Sequence, residues 1–400
     1  MNTEKKIRLL IATGVFPPDI GGPATITKFL LDRLPEAGVE VDLVTYTDDA
    51  GRSDPASGTE AGIHRIDRRR NIIFRYWQCL RLIWKLAKQA DIIYAFDLLS
   101  VGLPCAIVKT FKRDIKLAVR LGGDHQWEQA VENGTFFGTL DRYYIDRKFG
   151  SWERLVFHLS NFVLSRCDLI IFNAEIIRDT YVSHRQVERA RTDIIKNIEP
   201  AIPSVPARKA EKDHLNILYA GRLVAFKNLF ALIDAFILTE KKDWSKKLFL
   251  DMVGEGPAQP AIAAKIEKSG LTERIRLLPK LSHVDTLAKI AASDAIAMVS
   301  LTEVNSNVVI EALALGRPVI LSKESEEYHI GNKDRLIYYA DPLDIADIAE
   351  KMETALRDGL TGSLLERIGT EGMKENDVSW GDDEVVDKHL KAFKSLLKLN

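Results

Sequence analysis

A strand–helix alternation that runs twice, on either side of a proline-rich break, limits this chain to very few architectures. In the first run Ile7–Ala12 reads as a strand, followed by a loop holding Pro17, Pro18, Gly21, Gly22 and Pro23. A helix over about 25–37 ends at Gly38, and 41–45 is the next strand, with further strands at 92–95, 117–121 and 169–172. These segments are short and almost continuously apolar, as strands covered by helices on both faces must be. Pro200, Pro203 and Pro206, then the charged run Arg208–Asp213, read as an interdomain linker. The pattern restarts with strands at 215–221, 248–253, 275–278 and 295–300 and helices at 229–238, 261–268, 284–292 and 308–315, before a strand opening at 317. The expectation is an α/β protein of two doubly wound parallel sheets, in domains 1–205 and 206–379, with a terminal helix over 380–400.

Composition agrees and excludes several classes. The chain has 400 residues, more than one domain usually holds. Its 46% apolar and 28% charged residues are ordinary for a globular protein, and a net charge of −1 gives no case for nucleic-acid binding. Cys79, Cys105 and Cys167 lie far apart in apolar settings, as buried thiols of a reducing compartment would, and no metal-ligand spacing occurs. Met1–Lys6 leads into a first strand without a signal-peptide cleavage pattern, and no apolar run is long enough to span a membrane. A cytoplasmic location is expected.

The chemistry concentrates in the second run. Glu303 lies in a strand-to-helix loop and Glu311 on the first turns of the helix that follows. Both therefore belong at the carboxyl ends of the strands, where open α/β sheets bind ligands. Glu311 sits among Val308, Val309, Ile310 and Ala312–Leu315, where a carboxylate without a partner would be costly. The amides around Asn307 and Val308 begin that helix and suit a phosphate. Two carboxylates that accept hydroxyls, beside an anion-binding helix start, point to a nucleotide sugar. Gly221–Asn228 also follows a strand and precedes a helix, and its Arg222 forks onto phosphate oxygens while Lys227 supplies a point charge. Gly254 and Gly256 allow close backbone approach in a tight turn, and Gly22 does the same in the first loop of the chain. Arg120–Glu128, directly after a strand, adds Asp124 and His125.

Taken in order, Gly21-Gly22, Gly-Arg-Leu-x-x-x-Lys-Asn at 221–228, Val-Gly-x-Gly-Pro at 253–257 and Glu-x7-Glu at 303–311 form a specific set. Over nearly its whole length the chain resembles the retaining glycosyltransferases of family 4, also called glycosyl transferases group 1. The resemblance implies a GT-B fold, two Rossmann-like domains facing a central cleft. It implies a hexosyltransferase, which moves a sugar from a nucleoside-diphosphate donor to an acceptor hydroxyl, and donor contacts from Gly22, Arg222, Lys227, Gly254, Asn307, Val308 and Glu311. Glu311 matches the acid that binds the ribose, and Glu303 the acid near the reacting face of the sugar. Asp124 and His125 occupy the loop where many relatives place a histidine; the Gly-Asp-x-x-Trp-Glu form favours Asp124, and which of the two faces the reacting carbon stays open. Asn305 and Ser306 stand where the family commonly has an aromatic and a glycine. In the family the terminal helix crosses back onto the first domain, with Trp380 at its start. No cofactor or metal is implied, because the cations stabilise the leaving diphosphate.

Residues 68–90 are basic and rich in aromatics, fitting either a packed helix with a wet arginine face or a helix lying on anionic lipid. The second option suits a lipid-linked or glycan acceptor in polysaccharide biosynthesis at the inner face of a membrane. A nucleotide-sugar epimerase of the same fold and a non-catalytic sugar-nucleotide-binding module are the competing readings.

Overall fold

The computed structural model describes residues 6–19, 21–48, 62–146, 148–198, 213–325, 336–361 and 381–399. The prolines of the expected linker and Trp380 lie outside them. The chain divides into two compact units, Met1–Gln126 with Lys148–Ile198 and Trp380–Asn400, and Trp127–Arg147 with Glu199–Ser379.

The first unit is built on β1 (Arg8–Thr13), β2 (Glu40–Thr47), β3 (Gly62–Asp67), β4 (Ile92–Ala95), β5 (Lys116–Leu121), β6 (Leu169–Phe172) and β7 (Thr192–Ile194). They form one parallel sheet in the order β3-β2-β1-β4-β5-β6-β7. Helix Asp382–Leu397 packs into this unit's core, burying Val385, Val386, Ala392 and Phe393 with Leu9, Ile11, Leu43 and Tyr94. On that helix His389 is fully buried, 3.3 Å from the Tyr94 hydroxyl. Burial, reinforced by the charge of Arg120, pushes its pKa down to about 3, so the ring is neutral and structural. All three cysteines are buried free thiols, and burial raises Cys79 to about 12, which makes it inert.

The second unit holds β8 (His214–Ala220), β9 (Lys247–Val253), β10 (Ile275–Leu278), β11 (Ala295–Met298), β12 (Val319–Ser322) and β13 (Ile337–Ala340). Their order is β10-β9-β8-β11-β12-β13, again all parallel. The central strands β8 and β11 are buried almost throughout, which accounts for their largely apolar sequence, with Asn216 the buried polar exception in β8.

One segment differs from the division expected at residue 205. Trp127–Arg147 goes with the second unit because its partners are there. Trp127 packs its ring against Phe226 at 5.6 Å, Glu132 Oε2 accepts from the Ala225 amide at 2.8 Å, and the Leu140 amide donates to Thr302 Oγ1 at 3.0 Å.

Candidate functional site

Strand order in the second unit reverses between β8 and β11, and a crevice opens beyond the carboxyl ends of strands at such a point. The loop after β8 carries Arg222 and Lys227, and the loop after β11 carries Glu303. Tyr219, at the end of β8, donates its hydroxyl to the Arg222 carbonyl at 2.6 Å and so fixes the start of the first loop. The Arg222 side chain is exposed, with its guanidinium 5.5 Å from the Phe226 ring. A 3-10 turn over Ala225–Lys227 follows, and Asn228 ends it in the left-handed conformation at φ 58. The Asn228 amide holds the turn by donating to the carbonyls of Val299, at 3.1 Å, and Pro342, at 2.6 Å.

This anchoring aims Lys227 at Glu303. Lys227 Nζ lies 2.8 and 2.7 Å from the two Glu303 carboxylate oxygens, and Ser300 Oγ donates to Oε2 at 2.5 Å. Glu303 is only 3% exposed. The pair thus concentrates one positive and one negative group, each fixed before any ligand arrives.

Glu311 is as buried but differently held. It lies on helix Asn307–Ala314, with Oε1 2.8 Å from His283 Nε2. Burial pushes its carboxyl pKa up, while the hydrogen bond and charge of His283 oppose the rise. The first backbone bonds of that helix run from the Val309 and Ile310 amides to the Ser306 carbonyl, so the Asn307 and Val308 amides precede the ladder. Asn305 takes φ 47, a left-handed conformation that asparagine tolerates better than most residues.

Gly254 is explained by the protein itself. A Cβ there would lie 1.8 Å from the Gly221 carbonyl oxygen, and one at Gly256 would lie 2.2 Å from that of Leu223. These glycines let the turn after β9 seat against the Arg222 loop. Gly22 is the opposite case: it opens helix Gly22–Arg33, is exposed, and a Cβ would meet nothing within 4 Å. No packing of the first unit requires glycine at that position.

Asp124 and His125, adjacent in sequence, have unlike surroundings. Asp124 is 1% exposed, with Oδ2 3.8 Å from Arg185 Nη1. The Arg185 guanidinium is held against the rings of Phe157, at 4.5 Å, and Tyr181, at 5.1 Å, and its Nε donates to Asn161 at 2.8 Å. His125 is exposed at the start of helix His125–Glu132. Asp124, which the family form of the loop favours, is therefore tied into a buried cluster, whereas the His125 side chain is exposed.

Residues 204–375 match the family model for glycosyl transferases group 1, and residues 20–198 match that for glycosyltransferase family 4. The chain belongs to these glycosyltransferases. No curated protein matches it. Among solved structures, sucrose-phosphate synthase from Thermosynechococcus elongatus superposes with a TM-score of 0.72 over 98% of this chain and 100% of its own, at 16% identity. HepE from Anabaena, in complex with UDP and glucose, gives 0.65 over 97% and 100%, at 14% identity. A glycosyltransferase from Rickettsia africae gives 0.63 over 99% and 100%, at 13% identity. The shared architecture is the GT-B fold.

Several residues of the glycosyltransferase site carry no local sequence signal. His283 and Ser300 hold the two glutamates, and Glu132 and Thr302 tie Trp127–Arg147 to the loops bearing Lys227 and Glu303. Each is an ordinary polar residue of a helix or loop, and only its partner marks it.

Proposed function

We propose that this glycosyltransferase moves a hexose-type sugar from a nucleoside-diphosphate sugar to an acceptor hydroxyl, with retention at the anomeric carbon. The observation that carries the reading is the placement of Arg222, Lys227 and Glu303 on the two loops flanking the switch point, with Lys227 bonded to both Glu303 oxygens. Arg222 and Lys227 bind the donor diphosphate, together with the amides of Asn307 and Val308. Glu311 accepts from the ribose, and Glu303 from hydroxyls of the sugar. Gly22 lets backbone approach a ligand, Gly254 seats the turn after β9 against the Arg222 loop, and Asp124 and His125 lie on the loop that the family assigns to the reacting carbon. The bond from the anomeric carbon to the diphosphate breaks as the acceptor oxygen attacks from the same face, and the departing phosphate takes the acceptor proton. Negative charge grows on the leaving group, so cations fixed beforehand lower the barrier, and the reading needs no metal. The presence of UDP and glucose in the Anabaena structure supports a donor of this class.

A glycan or lipid-linked acceptor at the inner face of a membrane fits helix Ile72–Leu86. Ile72, Ile73 and Trp77 on it are 58%, 77% and 52% exposed. Residues 68–90 carry Arg68, Arg69, Arg70, Arg75, Arg81, Lys85 and Lys88 and no acid. No helix of the described residues is long and apolar enough to cross a membrane, so docking would be peripheral. Flotation with anionic but not zwitterionic vesicles, lost in Ile73→Glu/Trp77→Glu, is the expected result.

The donor reading is tested by thermal shift of the whole chain against UDP-, GDP- and ADP-sugars without added metal. One nucleotide class should raise the melting temperature, and Arg222→Ala and Glu311→Ala should abolish the shift. No shift with any donor would overturn the assignment.

A further inference from the structure

His283 is the first residue of helix His283–Ala292, and Ser282 caps that helix by accepting from the Asp285 amide at 3.1 Å. The imidazole therefore projects from a fixed backbone, half-exposed on one side and 2.8 Å from Glu311 Oε1 on the other. Among the described residues no other side chain bonds to the Glu311 carboxylate, and Oε2 has no protein donor. We propose that His283 is a positioning residue for donor binding: it aims the Glu311 carboxylate at the ribose hydroxyl pair and holds one oxygen while the other stays open to them. This rests on the donor-site reading above.

The chemistry needs such a group. Two neighbouring hydroxyls donate best to a carboxylate with both oxygens available, whereas a protonated acid gives up part of its accepting capacity. Burial drives Glu311 towards the protonated form, and His283 opposes this by its hydrogen bond and its charge. The surrounding elements offer no substitute. Strands β11 and β12, packed against the Glu311 helix, carry no titratable residue. On the His283 helix, Lys289 is committed to Asp251 at 2.6 Å, and Asp285 to the Ser282 cap. Glu303 is held by Lys227 and Ser300.

The test is calorimetric binding to the whole chain of whichever of UDP-glucose, GDP-mannose or ADP-glucose stabilises the unaltered protein. The phosphates of these diesters do not titrate near neutrality. His283→Leu should bind roughly tenfold more weakly near pH 8 and lose further affinity as the pH falls towards 6, a loss the unaltered protein should show less of. His283→Gln, which keeps a donor but no charge, should recover the affinity near pH 8 and not the loss below it. In a Glu311→Gln background, His283→Leu should change affinity by less than about twofold, since its effect passes through the carboxylate. Parallel pH profiles, or a full effect in that background, would overturn the proposal and leave the donor site standing. If no nucleotide sugar binds the unaltered protein, the donor reading fails and this inference fails with it.

Discussion

Glu303 and Glu311 occur eight positions apart in one segment and are equally buried at 3% exposure, yet the structure treats them in opposite ways. Glu303 has both oxygens engaged by an ammonium group and a hydroxyl. Glu311 has one oxygen against a half-exposed imidazole, and its carboxyl is pushed towards the neutral form. The loop carboxylate is integrated into the fold, and a ligand must compete for it or share it. The helix carboxylate keeps accepting capacity in reserve and costs the fold something to keep. Burial alone therefore does not say whether an acid serves structure or ligand; the count of its partners does.

Substitutions can break or sharpen this contrast. Lys227→Ala should have the largest effect on stability, about 3–5 kcal/mol in urea denaturation, because it strands a buried carboxylate. A loss below about 1 kcal/mol would mean that Glu303 is not held as described. Ser300→Ala removes a hydroxyl donor to the same charged group and should cost roughly 1.5–3 kcal/mol by the same measurement. Ser282→Ala, on the Glu311 side, deletes only the cap of the helix carrying His283, an expected loss of about 1 kcal/mol. Glu311→Gln should be the mildest. With its pKa raised, the folded state holds this proton more tightly than the unfolded chain, so stability falls as pH rises through the interval from the ordinary to the raised value. The glutamine variant sheds that penalty, and its melting temperature near pH 8 should equal or exceed the parent's while donor binding drops. A clear fall in melting temperature would place Glu311 in the same class as Glu303.

Much of the fold was legible because central parallel strands must be apolar on both faces. The runs at 92–95 and 169–172 are such strands, and both are found. Strands β3, β7 and β13 were not read from the sequence, and all three sit at sheet edges. In β3 only Ile66 is fully buried, among His64, Arg65 and Asp67, and β7 is a three-residue Thr-Asp-Ile segment, so neither shows a hydrophobic period. At the site, Arg222, Lys227 and the two glutamates stand out because their motif ties residue type to a strand end. His283, Ser300 and Glu132 do not, since nothing local distinguishes a histidine on a helix start or a glutamate on a helix face.

The sequence by itself determined that the chain alternates strands and helices in two runs, and it determined which loops carry cations and acids, because apolar periodicity and glycine placement act over a few residues. Only the tertiary structure decided which partner each charge received. Lys227 reaches Glu303 across 76 residues, His283 reaches Glu311 across 28, and Ala225 reaches Glu132 across 93. It likewise buried Asp124 against Arg185, left its neighbour His125 exposed, and moved Trp127–Arg147 into the second unit. Such pairings depend on how packed sheets and helices bring distant side chains together, and the local order of residues carries no record of that.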